Sequence, residues 1–137
     1  MKSEALHTWM EAYGRAWETR DPEAVRRLFA EDATYQETPF TQPMRGPDAI
    51  QQYWSQVVAT AQERIRFGYE VLAVAEDSAI VHWWASFVRV QSRAQVRLDG
   101  IFLLTFDTEG RCRELREWWV RKGGMREFGV LLQVCSD

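Results

Sequence analysis

The two side chains best suited to move a proton are a glutamate and a tyrosine in the first third of the chain. Glu37 ends a short alternating segment before a proline-rich loop, and Tyr13 lies between Trp9 and Trp17 at helical spacing. A carboxyl among aromatic rings loses hydration, which raises its pKa towards the range of a general base. A tyrosine hydroxyl could donate a hydrogen bond to a substrate oxygen. The alternatives are a strand-end glutamate in solvent or paired with Arg45, and a tyrosine of the core.

The composition is that of one small domain rich in aromatic residues. The chain has 137 residues, of which 46% are apolar, 27% charged and 13% aromatic, and its net charge is -3. This length predicts a single domain over residues 1–137, and the aromatic content indicates an aromatic core or an aromatic-lined hollow. The sequence shows no basic surface for nucleic acid, no run of ~20 apolar residues and no signal peptide. We therefore expect a cytoplasmic protein with no nucleic-acid or membrane partner.

Cysteines, histidines and glycines give no pattern for a cofactor. Cys112 and Cys135 are too few for a zinc pattern or a disulfide scaffold, so we expect reduced thiols. The two histidines lie far apart and lack nearby ligand spacing, which predicts no metal site. No glycine-rich phosphate loop is present, so the expected chemistry needs no cofactor.

Helices dominate the first half of the chain and strands the second half. Helical spacing of apolar residues predicts helices over residues 3–20, 21–32 and 47–61. Ser3 and Asp21 are the predicted N-caps, and Phe29 lies on the buried face of the second helix. Alternation predicts strands over residues 33–38, 64–75, 79–90, 95–106 and 111–121. This order predicts an α+β fold in which three helices pack on a curved antiparallel sheet with a hollow end. Residues 125–137 could form an extra strand, a lid or a dimer arm.

Several segments resemble the SnoaL-like and nuclear-transport-factor-2-like (NTF2-like) superfamily. They are residues 17–35, 44–50, 98–100, 106–111 and 116–119. The resemblance covers nearly the whole chain and implies a cystatin-like α+β cone. It implies little about function, because the superfamily includes isomerases, dehydratases, cyclases, epoxide hydrolases and binding adaptors.

Within that superfamily the chain is similar to ketosteroid isomerases from the first helix through the third. The similarity places Tyr13 at their oxyanion-binding tyrosine and Glu37 at their proton-moving aspartate. Phe102 stands where they have a protonated aspartate, and Phe29 and Trp54 stand where supporting tyrosines often occur. The catalytic set is therefore incomplete, and we expect chemistry other than ketosteroid isomerisation.

Glu117 is the third candidate because of its neighbours on the last strand. The resemblance puts Leu115 and Trp119 on the pocket wall, so alternation turns Glu117 inward as well. Two carboxylates in one cavity can have well separated pKa values, which provides one acid and one base. A β-bulge would reverse the alternation and turn Trp118 and Val120 inward instead.

The opposite face of the predicted sheet carries His82 and Trp84. Trp84 is too large to leave in solvent, so we expect this face to be covered in a homodimer. Arg97 and Asp99 form an expected surface ion pair. Their Arg-x-Asp spacing is that of limonene-type epoxide hydrolases, but it falls on a different strand.

Two functions follow from these observations. The first is a cofactor-independent acid/base enzyme that isomerises, dehydrates or cyclises a small hydrophobic carbonyl or hydroxyl compound. In it, Glu37 moves the proton, Tyr13 polarises the oxygen and Glu117 is a possible second acid or base. The second is a non-catalytic module that binds a ligand or partner. The residues expected to contact a substrate are Tyr35, Trp54, Phe67, Trp83, Phe102 and Trp119.

Overall fold

The computed structural model describes residues 2–123 of the chain. Its helices and strands follow the predicted order of helices first and long strands afterwards. The elements are α1 Ser3–Glu18, α2 Pro22–Arg26, β1 Phe29–Gln36, β2 Met44–Arg45, α3 Pro47–Trp54, a π-helical turn Ser55–Ala59, β3 Gln62–Ala75, β4 Ser78–Arg89, β5 Gln95–Phe106 and β6 Cys112–Gly123.

The strands form one curved sheet in the order β2-β1-β6-β5-β4-β3. β3 to β6 pair antiparallel with their neighbours in sequence, as the short turns predict. β1 differs, because it runs parallel to β6 and pairs Tyr35 with Leu115. Parallel neighbours need a long crossover, and α3 with β3, β4 and β5 supplies it. The α+β class is confirmed, and the sheet is mixed at this one pair.

The second helix is much shorter than predicted. Its start is confirmed, because the Asp21 carboxylate accepts a hydrogen bond from the backbone N–H of Ala24 at 3.1 Å. The helix ends at Arg26, and Phe29 begins β1 instead of continuing the helical face. The carbonyl of Leu28 accepts a hydrogen bond from the N–H of Cys112 at 2.9 Å. Pairing with β6 therefore takes over the backbone groups that a longer helix would have used.

The other helix boundaries also differ from the predictions. Lys2, not Ser3, is the N-cap of α1. The third helix becomes π-helical from Ser55, and β3 begins at Gln62, two residues earlier than expected. The predicted proline-rich loop contains the two-residue strand β2, which pairs with β1.

The helices cover the concave face of the sheet and bury most of the aromatic residues between them. Leu6, Met10 and Ile50 are fully buried beneath α1 and α3. Trp9 donates its indole N–H to the carbonyl of Leu28 at 2.9 Å, which ties α1 to the start of β1. One end of this interface stays open, and the candidate site lies there.

The last strand continues to Gly123, two residues past the expected end at Arg121. The roles predicted for residues 125–137 lie outside the described part of the chain. No helix within residues 2–123 is both long and apolar enough to cross a membrane.

Candidate active site

A cavity of about 430 Å³ opens between α1, α3 and the concave face of the sheet. All three predicted catalytic residues line it. Tyr13 comes from α1, Glu37 from the residue after β1, and Glu117 from the middle of β6. The helix spacing and the strand alternation thus bring together side chains that are more than a hundred residues apart in sequence.

Two tyrosines and a glutamate form a hydrogen-bonded chain at the closed end of the cavity. The hydroxyls of Tyr13 and Tyr35 lie 3.1 Å apart, and both residues are buried. The Tyr35 hydroxyl also bonds the carboxyl of Glu117. A phenol has one proton, so whenever Tyr35 donates to a Glu117 oxygen, Tyr13 is the donor in the Tyr13–Tyr35 bond. Each bond in such a chain polarises the next.

Glu117 is a carboxyl held out of water. It is 6% exposed, and burial raises its pKa well above the ordinary 4.5. The nearby charge of Glu37 raises the pKa further, while the hydrogen bond from Tyr35 lowers it. Burial and the second carboxylate thus favour the protonated form of Glu117, as in other paired-carboxylate sites.

Glu37 is more exposed than Glu117 and is only half-buried. The hydroxyl of Tyr53, from α3, hydrogen-bonds its side chain, and burial followed by the Glu37 charge raises the pKa of Tyr53. The indole N–H of Trp119 donates to the backbone carbonyl of Glu37 at 2.9 Å. This bond fixes the end of β1 against β6 and sets the position of Glu37 relative to Glu117.

The alternation on β6 turns Glu117 and Trp119 towards the cavity. Trp118 and Val120 lie on the opposite face and are 38% and 58% exposed. The register of β6 shifts between Cys112 and Glu114, opposite Phe106 and Thr105 of β5. From Glu114 to Gly123 the pairing with β5 is regular, so no bulge interrupts the alternation at Glu117 and Trp119.

Four of the six predicted substrate-contacting residues line the cavity, namely Tyr35, Trp54, Trp83 and Trp119. Trp54 and Trp17 pack edge to face at 5.6 Å, and Trp17 donates its indole N–H to the side-chain oxygen of Gln62 at 2.8 Å. These rings give the middle of the cavity an apolar wall.

Phe67 and Phe102, which we predicted to contact substrate, do not line this cavity. Phe67 packs behind the wall, stacked on Trp83 at 6.3 Å and close to Trp17 at 5.5 Å. Phe102 is fully buried and lies edge-on to Tyr13 at 5.4 Å. Both rings support lining residues from the core side, so these two predictions are corrected.

Sequence analysis missed several polar residues of the cavity. Tyr53, Gln62, Arg89 and Arg121 all line the cavity, and none of them was among the predicted site residues. Alternation could have found Arg121, because it lies four residues after Glu117 on the same strand. For Tyr53 the available signal was its position: a tyrosine on the apolar stripe of α3 brings a hydroxyl to the buried side of that helix.

His82 and Trp84 lie on the outer face of the sheet, away from the cavity. The His82 ring bonds Glu70 through Nδ1 at 3.0 Å and Asp99 through Nε2 at 3.0 Å. Asp99 thus pairs with His82 across the strands. Among residues 2–123, no three histidine, cysteine or acidic side chains are grouped so that they could hold a metal ion. Cys112 is buried as a free thiol, and Cys135 lies outside the described residues.

Solved structures with this fold are numerous and distant in sequence. RV0760c from Mycobacterium tuberculosis is 15% identical with a TM-score of 0.77, and the match covers 90% of this chain and 98% of that chain. The Delta 5-3-ketosteroid isomerase from Mycobacterium sp. is 15% identical with a TM-score of 0.74, covering 87% and 98%. SalBIII, an epoxide hydrolase/cyclase-like enzyme of pyran ring formation in salinomycin, is 20% identical with a TM-score of 0.74, covering 87% and 94%.

At these identities the structural matches show the fold alone. No curated protein sequence matches the chain. The family model for the SnoaL-like domain matches residues 10–115, which is most of the sequence. It spans α1 through the first part of β6, including Tyr13 and Glu37, and this chain belongs to the SnoaL-like domain family.

Proposed function

We propose that the protein is a cofactor-independent acid/base enzyme of the isomerase, lyase or cyclase type. Its substrate is a small hydrophobic compound with a carbonyl or hydroxyl group. The observation that supports this most is the buried Glu117 carboxyl, hydrogen-bonded to Tyr35 in the same cavity as Glu37. Burying the Glu117 carboxyl and the Tyr13 and Tyr35 hydroxyls costs stability unless each has a partner, and such arrangements are typical of functional sites.

The proposed roles follow from the two environments. Glu37, nearer solvent, removes a proton from the carbon next to the substrate carbonyl. Glu117, kept protonated by burial, donates its proton to the carbonyl oxygen as negative charge develops there. Tyr13 and Tyr35 stabilise that oxygen through their hydrogen-bonded chain. In an isomerisation, Glu37 returns its proton to another carbon while the enol O–H gives its proton back to Glu117 and the carbonyl re-forms. In a dehydration, Glu37 gives its proton to a neighbouring hydroxyl, which leaves as water while Glu117 recovers its proton from the enol.

Exchange of protons into deuterated water tests this proposal without knowledge of the natural substrate. Aromatic methyl ketones are incubated with the protein in D₂O, and loss of the α-proton signal is followed by NMR. We expect Glu37→Gln and Glu117→Gln to slow exchange by about 10²–10⁴-fold. Glu114→Gln is the matched control, because Glu114 lies on the same strand and is exposed. Wild-type exchange that survives both cavity substitutions would refute the proposed roles.

A non-catalytic ligand-binding module is the second candidate. The buried ring of Phe102, packed against Tyr13, favours it, because it supplies no hydrogen bond at the position where ketosteroid isomerases have a carboxyl. This candidate predicts saturable quenching of tryptophan fluorescence by apolar ketones with no proton exchange. Exchange above the rate in buffer would exclude it.

A further inference from the structure

The chemistry of the cavity wall changes along β6, from an acidic group through an aromatic ring to a basic group. Glu117, Trp119 and Arg121 occupy successive inward positions of this strand, and all three line the cavity. A strand rises ~3.3 Å per residue, so the Glu117 and Arg121 backbones are about 13 Å apart. An apolar ring thus separates the carboxyl from the guanidinium on one wall.

A second arginine lies at the same end of the cavity as Arg121. β4 and β6 run in the same direction, because each is antiparallel to β5. Arg89 is the last residue of β4 and pairs in register with Gln62, the first residue of β3. Both line the cavity. Two guanidinium groups and an amide therefore mark one end, and the tyrosines with Glu117 mark the other.

Both arginines present a permanent positive charge to the cavity. Arg121 is 8% exposed, and the Arg89 guanidinium lies 5.5 Å from the centre of the Phe87 ring. Each makes interactions within the protein, but a guanidinium has several N–H donors in a fixed plane. It also keeps its charge at every pH at which proteins are studied. With Glu117 protonated, the lining residues within the described range 2–123 carry the two positive charges of the arginines and the negative charge of Glu37.

We propose that the natural ligand carries a carboxylate, which binds at Arg89 and Arg121 while its reacting oxygen lies at the tyrosine–glutamate end. The planar fork of a guanidinium matches the two oxygens of a carboxylate. The apolar body of the ligand fills the space between Trp17, Trp54 and Trp119. This inference extends the proposed function from a neutral hydrophobic compound to a hydrophobic oxo-acid or hydroxy-acid, and it rests on that function for the position of the reacting oxygen.

The test compares 6-acetyl-2-naphthoate with its methyl ester, which differ only in the charge and size of the group opposite the ketone. Titration calorimetry gives the dissociation constant of each. We expect the acid to bind about tenfold or more tightly than the ester, because only the acid can accept charge-assisted hydrogen bonds from a guanidinium. Equal binding, or tighter binding of the ester, would overturn the proposal.

Substitution of the arginines locates the preference. Arg89→Met and Arg121→Met should each weaken binding of the acid about tenfold and leave the ester within a factor of about two. Arg97→Met is the matched control, because Arg97 is exposed on the outer face. Arg121→Lys, which keeps the charge, replaces Arg121→Met if thermal melting shows that the latter does not fold. Equal weakening of acid and ester would overturn the proposed site.

The same probes separate this inference from the proposed function. Glu117→Gln should retain the acid-over-ester preference while it loses exchange of the acetyl protons. Preference without exchange in the wild type would reject the enzyme and retain the carboxylate site. Exchange of both probes without preference would retain the enzyme and reject the carboxylate site.

Discussion

The two faces of the long strands hold charge in opposite ways. On the concave face, Glu117 has its pKa raised because burial disfavours its ionised form. On the convex face, His82 has its pKa raised because the hydrogen bonds that its ionised ring donates to Glu70 and then Asp99 favour that form. Both clusters are built by period-two alternation on the same strands. Burial therefore makes the ionised form of Glu117 oppose folding, whereas exposed carboxylate partners make the ionised form of His82 support it.

The largest expected contrast between the faces comes from two adjacent tryptophans. Trp83 is 1% exposed and stacks on Phe102 at 5.2 Å, whereas Trp84 is 42% exposed and its nearest ring is His82 at 5.0 Å. Trp83→Ala should lower the free energy of unfolding by about 3–5 kcal/mol. Trp84→Ala should lower it by less than about 1 kcal/mol in the monomer. Urea denaturation measures both values, and equal losses would break the comparison.

Trp84→Ala also tests the predicted homodimer. The contact between two chains through the outer face remains a prediction. Ile80, Trp84, Trp118 and Val120 are exposed apolar residues on that face of the described chain. If two chains bury this face together, stability depends on protein concentration. Sedimentation equilibrium should then show weaker association for Trp84→Ala and unchanged association for Val57→Ala, a control at the cavity rim. A wild-type chain that stays monomeric at the highest soluble concentration would contradict the dimer.

Each of these tryptophans has a glycine opposite it on the neighbouring strand, and substitution of the two glycines by alanine should differ in its cost to stability. Gly100 pairs in register with Trp83, and Gly68 pairs with Trp84. A Cβ at Gly100 would lie 2.8 Å from both the Trp83 ring and the backbone oxygen of Trp118. Gly100→Ala should therefore cost about 1–3 kcal/mol, because neither neighbour can move freely.

At Gly68 the three atoms nearest to an added Cβ all belong to the ring of Trp84. That ring lies at the surface and can rotate away, so Gly68→Ala should cost less than about 1 kcal/mol. Thermal melting of the two variants shows which substitution costs more stability. A larger loss for Gly68→Ala would show that the Trp84 ring is held in place, as it would be beneath a partner chain.

Local sequence patterns predicted the parts of this molecule that local physics controls. The long strands, the Asp21 cap and the α+β order follow from alternation, capping and turn residues. The early end of α2 did not, because it depends on Phe29 pairing with Cys112 more than eighty residues away. Phe67 failed for a similar reason: its side relative to the cavity depends on how Trp17 and Trp83 pack around it. Distant pairing and ring packing carry no signal in a local window.

The polar and charged residues of the site also fall into two groups, those that local sequence could predict and those that it could not. Glu37 and Tyr13 were predicted from their own neighbours and from family resemblance. Arg89 and Arg121 were within reach of alternation, but nothing local distinguishes an inward arginine at a strand end from a solvated one. Only the register of three strands shows that both lie at the same end of the cavity.

Removing the buried carboxyl should stabilise the chain at alkaline pH. Because the folded pKa of Glu117 exceeds the ordinary 4.5, unfolding releases a proton between those two values, and stability falls as pH rises through them. Glu117→Gln removes that loss. We expect little change at pH 4 and a gain of about 1–2 kcal/mol at pH 8, measured by urea denaturation across pH. A loss of stability at pH 8 would mean that the ionised carboxylate is well solvated.

Removing the surface histidine should change the free energy of unfolding less than Glu117→Gln does, and it should lower stability rather than raise it. The His82 pKa is raised from 6.5, so its contribution is fully present below pH 6.5 and is lost as pH rises through the folded pKa. Its carboxylate partners are 61% and 63% exposed, and such ion pairs contribute under about 1 kcal/mol. His82→Gln should therefore lower stability slightly at pH 5.5 and leave it unchanged at pH 9. His7→Gln is the control, because His7 bonds the Tyr69 hydroxyl rather than a carboxylate. A loss of several kcal/mol, or one that persists at pH 9, would mean that this face is not hydrated, and the contrast between the two faces would then be one of partner groups rather than of water.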